Sequence, residues 1–385
     1  MQAARIPMKR VLLAVALSAV LVGCADREGT PPAAGPAPQP GDPGAGKVLA
    51  ERDCKGCHGL DGKGAAPGIP HLAAQSERYL HASIQAYLEG RRTHAALRDM
   101  IAGMSEADVR NVVAFYSGLP AVPVAADASV PRFLPYEHGK ALAADCARCH
   151  GADGNTTAPG MPSLAGQQPH YLAVAVNEYL NGVRTTDPMH ALLRRLSKLD
   201  VESVALYFAS QTPAERSAPS FGDPAAGEPL TAICGGCHGS HGVSTDAATP
   251  NLAGQDAQYL VNAIKAYRKT RRHEGMEAYV AELSQRDIEN IAAFYSTQKS
   301  RPAEKGETLV QELIDKCDRC HGAGVENAAV ATPKISGQDK DYLIMSLRAY
   351  RDSRRESSTM HNMSLPYSDS IIESVASFYA SQPAR

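Results

Sequence analysis

Cys54-Lys55-Gly56-Cys57-His58 decides how this chain reads, because the pattern returns three times. The later copies are Cys146-Ala147-Arg148-Cys149-His150, Cys234-Gly235-Gly236-Cys237-His238 and Cys317-Asp318-Arg319-Cys320-His321. Two cysteines at this spacing share one helical turn, and the next residue presents an imidazole beside them. That geometry suits two thioether bonds to the vinyl groups of a haem, with the histidine on the iron. One such pentapeptide alone would also suit half of a zinc site or a redox dithiol. Four of them take up eight of the nine cysteines. The expected cofactors are therefore four covalent haem c groups, each with one iron. Cys54, Cys57, Cys146, Cys149, Cys234, Cys237, Cys317 and Cys320 attach them, and His58, His150, His238 and His321 are metal ligands.

Working outward, the repetition extends well beyond the pentapeptide. A proline follows each histidine by twelve residues, at Pro70, Pro162, Pro250 and Pro333. A Gln-x-x-x-Tyr-Leu element begins at Gln75, Gln167, Gln255 and Gln338. Each copy closes on an aromatic pair: Phe115-Tyr116, Tyr207-Phe208, Phe294-Tyr295 and Phe378-Tyr379. Ten residues before each pair stands a serine (Ser105, Ser197, Ser284, Ser368) where a helix N-cap belongs, with an acid close behind in three copies. Apolar residues such as Val109, Val112, Val113 and Tyr116 then recur at helical spacing. Each unit reads as a helix bearing the cysteines, a Gly/Pro-rich loop, a middle helix, another loop and a final helix. The expectation is an all-α chain of four tandem units, at 46–120, 131–213, 222–300 and 303–382. With 5% aromatics and no tryptophan, units this small need something besides side chains at their centres.

Each unit resembles a class I cytochrome c, and the whole most resembles the tandem diheme carriers of the c-four type, here with four haem domains. The resemblance covers nearly everything from about residue 45 to residue 382. It implies that the carbonyls of Pro70, Pro162, Pro250 and Pro333 accept from the ligating histidines and fix their rings. It also implies a methionine as sixth iron ligand, from the loop before the final helix. Met189, Met276 and Met360 each lie eight residues before the helix-start serine. In the first unit, counting eighteen from Tyr79 or back eight from Ser105 reaches Leu97. Met100, three residues on, would ligate if the loop rewinds; His94 as second histidine ligand and an open iron are the alternatives. Five residues before this place stand Arg92, Arg184, Arg271 and Arg355. They either pair with haem propionates or are solvated surface charges.

The ends and the charge set the surroundings. Lys9 and Arg10 precede an apolar run from Val11 to Val22, too short to span a bilayer comfortably and ending in Leu21-Val22-Gly23-Cys24. That reads as a lipoprotein signal over 1–24 with Cys24 as the acylated residue, followed by a Pro/Gly/Ala-rich spacer over 25–45. The expected location is the periplasm of a Gram-negative bacterium, anchored by lipid to the outer or inner membrane. Net charge is −2, which speaks against a nucleic-acid partner. Cleavage would remove Arg5, Lys9 and Arg10 and no acid, taking −2 to −5. A redox donor and acceptor with basic docking faces fit that sign, and no small-molecule substrate is expected. The resemblance implies an electron carrier rather than an enzyme, passing single electrons between respiratory or dehydrogenase donors and a terminal oxidase or reductase. The alternative is the haem subunit of a redox enzyme, with the first unit as an open or atypically ligated haem.

Overall fold

A computed structural model of the protein describes residues 40–123, 133–184, 187–271, 273–325 and 330–384. The signal segment, Cys24 and the spacer up to residue 39 lie outside the described residues, as do the first two residues of the second expected unit. Among the described residues the chain is helical, with no β-strand and one isolated bridge between Arg92 and Arg355. No helix there is long and apolar enough to cross a membrane.

The same succession of helices occurs four times. An attachment segment leads: Pro43–Leu49 running through a π-helical turn Ala50–Cys54 into Lys55–His58, then Pro135–Ala143 with Ala147–His150, Pro224–Gly227 with Gly235–His238, and Leu309–His321. The first of these starts inside the stretch read as spacer, with Asp42 capping it and Pro43 at its first position. A tyrosine helix follows (Glu77–Leu88, Pro169–Leu180, Ala257–Ala266, Lys340–Arg351). Next comes a seven-residue helix (Ala95–Ile101, Asp187–Leu193, Glu274–Val280, Ser358–Ser364) in what the sequence read as a loop. Closing helices Glu106–Ser117, Lys198–Ala209, Gln285–Ser296 and Asp369–Ala380 end the units. Ser105, Ser197, Ser284 and Ser368 are their N-caps. The first three form full capping boxes with Asp108, Asp200 and Asp287.

In the first three units the attachment helix crosses the closing helix at a glycine. A Cβ on Gly46 would lie 1.9 Å from the Asn111 carbonyl oxygen. On Gly139 it would lie 2.0 Å from that of Ser203, and on Gly227 2.1 Å from that of Asn290. Backbones so close exclude any side chain. Beside the crossings, Tyr116, Phe208, Tyr295 and Tyr379 are fully buried, each edge-on to its neighbouring ring at 5.0–5.2 Å. Each burial stabilises by roughly 1.5–3 kcal/mol. The fourth unit has no crossing glycine. Its Leu313 and Ile314 instead belong to a core that includes Leu206 and Tyr136 of the second unit.

The pairing follows sequence order for only one of the two pairs. Unit 1 bonds to unit 4 and unit 2 to unit 3, through seams built alike. The Gln75 amide donates to the Lys334 carbonyl at 2.8 Å and accepts from the Lys334 N–H at 2.8 Å. Gln338 does the same to the backbone of His71, at 2.9 and 2.6 Å. In the other seam Gln167 takes both backbone groups of Asn251, and Gln255 those of Ser163, at 2.7–2.9 Å. A glutamine amide offers a donor and an acceptor side by side, so it pairs with a backbone as another peptide would. Units 4 and 2 meet through their closing helices. Lys198 Nζ lies 2.7 Å from Asp369, and Glu202 accepts from the Ser370 N–H at 2.8 Å. The contacts therefore run from unit 1 to 4 to 2 to 3.

Candidate haem sites

Each attachment segment ends in a histidine whose ring is held in one orientation. Nδ1 of His58 lies 3.0 Å from the Pro70 carbonyl, and that of His150 2.9 Å from Pro162. His238 and His321 repeat the contact to Pro250 and Pro333 at 2.9 and 2.8 Å. A carbonyl only accepts, so Nδ1 carries the proton and Nε2 keeps its lone pair. Burial lowers the basicity of all four rings, against the opposing pull of the proline carbonyl. They are neutral imidazoles with a free donor atom. Nε2 of His150 is buried with no hydrogen-bond partner. Such an orphan is costly unless something binds it, and an iron at that atom would remove the cost.

The cysteines divide by position. The first of each pair is partly buried and the second exposed, and all eight are unbridged. Burial pushes the thiols of Cys54, Cys146 and Cys317 up to about 11, and that of Cys234 upward. Protonated thiols facing the core are poorly suited to binding a bare cation. Among the described residues no cluster of three or more His, Cys, Asp or Glu side chains stands ready for a metal ion alone. The donor set fits haem c.

The arginines meet at the seams. Arg355 Nη2 donates to Tyr79 Oη across the unit 1–4 seam at 2.8 Å, and Arg92 reaches Tyr342 Oη at 3.5 Å. Tyr79 and Tyr342 touch at 3.3 Å. Each guanidinium also lies over a tyrosine of its own unit, Arg92 on Tyr87 at 4.4 Å and Arg355 on Tyr350 at 4.5 Å. Among the described residues neither has a carboxylate partner. Burial alone would raise the Tyr342 hydroxyl, but Arg355 and Arg92 outweigh it and draw it below its ordinary value. Two half-buried or buried cations beside two phenols leave positive charge in the seam that an anion would offset. In the other seam Arg184 donates to Tyr171 Oη at 3.4 Å and pairs with Glu178, while Arg271 bonds Tyr259.

Met189, Met276 and Met360 each fall on the third residue of a short helix and are half-buried. In unit 1 the short helix starts at Ala95, so its third residue is Leu97, also half-buried. Met100 is its sixth residue and is 42% exposed, so Leu97 rather than Met100 stands at the helical position the other three methionines share. The sequence reading missed these short helices because seven residues give little periodicity. Their caps were the available signal: His94 and Ser357 each accept from the third N–H.

Together these features define a helical c-type haem protein with one attachment site repeated along the chain. The cytochrome c family model matches residues 44–119 and 136–207, and one described as cytochrome c oxidase, cbb3-type, subunit III matches residues 224–294. Cytochrome c4 of Pseudomonas aeruginosa is 38% identical over 174 residues, covering 40% of this chain and 85% of that protein. The chain belongs to the cytochromes c, with diheme c4-type proteins among its relatives. A protein of Thiomonas intermedia named thiosulfate dehydrogenase electron acceptor is 29% identical over 220 residues, 54% of this chain and 93% of its own length. The crystal structure of reduced cytochrome c4 from Pseudomonas stutzeri aligns at 31% identity over 42% of this chain and 98% of that one, with TM-score 0.39.

Proposed function

We propose that this is a lipid-anchored, periplasmic tetrahaem electron carrier, with haem domains at 46–120, 131–213, 222–300 and 303–382 and an acylated Cys24. It passes single electrons between respiratory or dehydrogenase donors and a terminal oxidase or reductase. The observation that carries this is the recurrence of one site: a proline-locked histidine on one side and, in three units, a half-buried methionine at one helical position. Met189, Met276 and Met360 are the sixth ligands, and Arg92, Arg184, Arg271 and Arg355 hold propionates. The haem supplies one-electron iron chemistry; the chain sets its ligands, its burial and the charge around it. A site filled by protein on both faces exchanges electrons without admitting substrate. Spectroelectrochemical titration of the matured protein should give fully reversible one-electron steps. Catalytic current with a small substrate and no protein partner would contradict a carrier.

The relative named as an electron acceptor of thiosulfate dehydrogenase favours a second, narrower reading, in which the chain is the haem subunit that accepts from a dehydrogenase. Reduction by thiosulfate alone would make it the enzyme. Reduction only after a dehydrogenase is added would make it the acceptor.

A further inference from the structure

The four short helices place one residue each at the same point, and only unit 1 places a leucine there. Leu97, Met189, Met276 and Met360 are all third residues, and all are half-buried. Three side chains of unit 1 with a donor atom, Met100, Met104 and His94, stand at positions whose counterparts coexist with a ligating-position methionine elsewhere. Met100 occupies the sixth helical position. In unit 4 that position is Met363, three residues beyond Met360, and in unit 3 it is Tyr279, which is 55% exposed. Met104 packs against the core of Val109, Val112 and Tyr116, where units 3 and 4 put Leu283 and Tyr367. His94 is the N-cap, its Nδ1 accepting from the Leu97 N–H at 3.2 Å. His273 stands at the same cap in unit 3, with Met276 three residues on.

Resting on the reading of Met189, Met276 and Met360 as sixth ligands, we propose that Leu97 leaves the unit 1 iron without a protein ligand on that side. That side then takes a small diatomic π-acceptor ligand such as carbon monoxide or nitric oxide. A leucine has no lone pair to give and its branched side chain excludes bulky ligands, while an uncharged diatomic needs no polar partner to be buried. Unit 1 also stands at one end of the run of contacts, bonded to unit 4 through its proline loop and tyrosine helix. Its short helix carries an exposed outer face at Met100.

The test uses the full-length matured holoprotein, reduced and titrated with carbon monoxide. One haem equivalent in four should change its absorption spectrum, and Leu97→Met, close in volume, should abolish the change. Leu97→Met should also raise the methionine–iron charge-transfer band by about one third. No carbon monoxide binding by the wild type overturns the proposal, and two variants then name the ligand. Loss of one quarter of the band in Met100→Leu identifies Met100; carbon monoxide binding gained only in His94→Ala identifies His94. Mass analysis of the Cys54–His58 peptide separates a failure of haem attachment in unit 1, which would remove the basis of both readings, from a filled sixth position.

Discussion

The two seams use the same glutamine exchange but neutralise their arginines differently. Between units 2 and 3, Arg184 is paired with Glu178, and Asn251 adds bonds to Gly166 and Ser244. Between units 1 and 4, Arg92 and Arg355 face two tyrosines, and Lys334 stands where Asn251 does, its Nζ on the Ala74 carbonyl at 3.0 Å. One scaffold thus carries two electrostatic settings. One arginine of the 2–3 seam has a carboxylate partner, whereas among the described residues neither arginine of the 1–4 seam has one, and the propionates proposed for them would supply it. A buried cation left unpaired costs several kcal/mol, so the 1–4 pair should depend on its cofactors more steeply than the 2–3 pair.

The largest break in this comparison is removal of a cofactor. With Cys234 and Cys237 both changed to alanine, unit 3 should unfold, since units this small and poor in aromatics draw much of their core from the haem. Limited proteolysis should cut between residues 222 and 300 while units 1 and 4 resist. A resistant, fully helical unit 3 would contradict the claim. A smaller effect sharpens the pairing itself. Gln75→Ala and Gln338→Ala should each cost about 1 kcal/mol, because each leaves two partly exposed backbone groups without their partner. A double-mutant cycle in denaturant should show coupling of about 0.5 kcal/mol or more between Gln75 and Gln338 and almost none between Gln75 and Gln167. The reverse pattern would pair unit 1 with unit 2 instead. The smallest effect is acid loosening of the 4–2 contact. Burial would raise the Asp369 carboxyl, but Lys198 and Arg351 hold it down at about 2, below its ordinary 3.8. Its contribution is therefore complete above about pH 4 and lost as pH falls through 2. Asp369→Asn should flatten the acid limb of a stability profile by up to about 1 kcal/mol.

Much of the fold was legible because local chemistry repeats. The serine caps, the apolar spacing after them and the closing aromatics each predict a helix without help from tertiary contacts. The histidine-to-proline offset of twelve likewise marked a contact that the structure contains. The pairing was not read, since four Gln-x-x-x-Tyr-Leu elements are alike and any two might meet. A partial signal was nevertheless present. Units 1 and 2 carry a glycine two residues before the proline, Gly68 and Gly160, with φ of +85° and +82°. Units 3 and 4 carry an aspartate after the glutamine, Asp256 and Asp339. The N–H of Gly68 donates to Asp339, and that of Gly160 to Asp256, both at 2.8 Å. A glycine-bearing unit must then meet an aspartate-bearing one, which excludes 1 with 2 and 3 with 4. Nothing in these motifs chooses 4 over 3 as the partner of unit 1. The position of Met100 was equally beyond the sequence, because the start of a seven-residue helix sets it.

The most direct measurement for the account as a whole is the mass of the matured polypeptide under denaturing conditions, produced in a host with c-type haem assembly. Four proline-locked histidines above four cysteine pairs predict a chain carrying four covalent haems, with no free thiol at Cys54, Cys57, Cys146, Cys149, Cys234, Cys237, Cys317 or Cys320. A fully matured sample carrying three haems or fewer would contradict it.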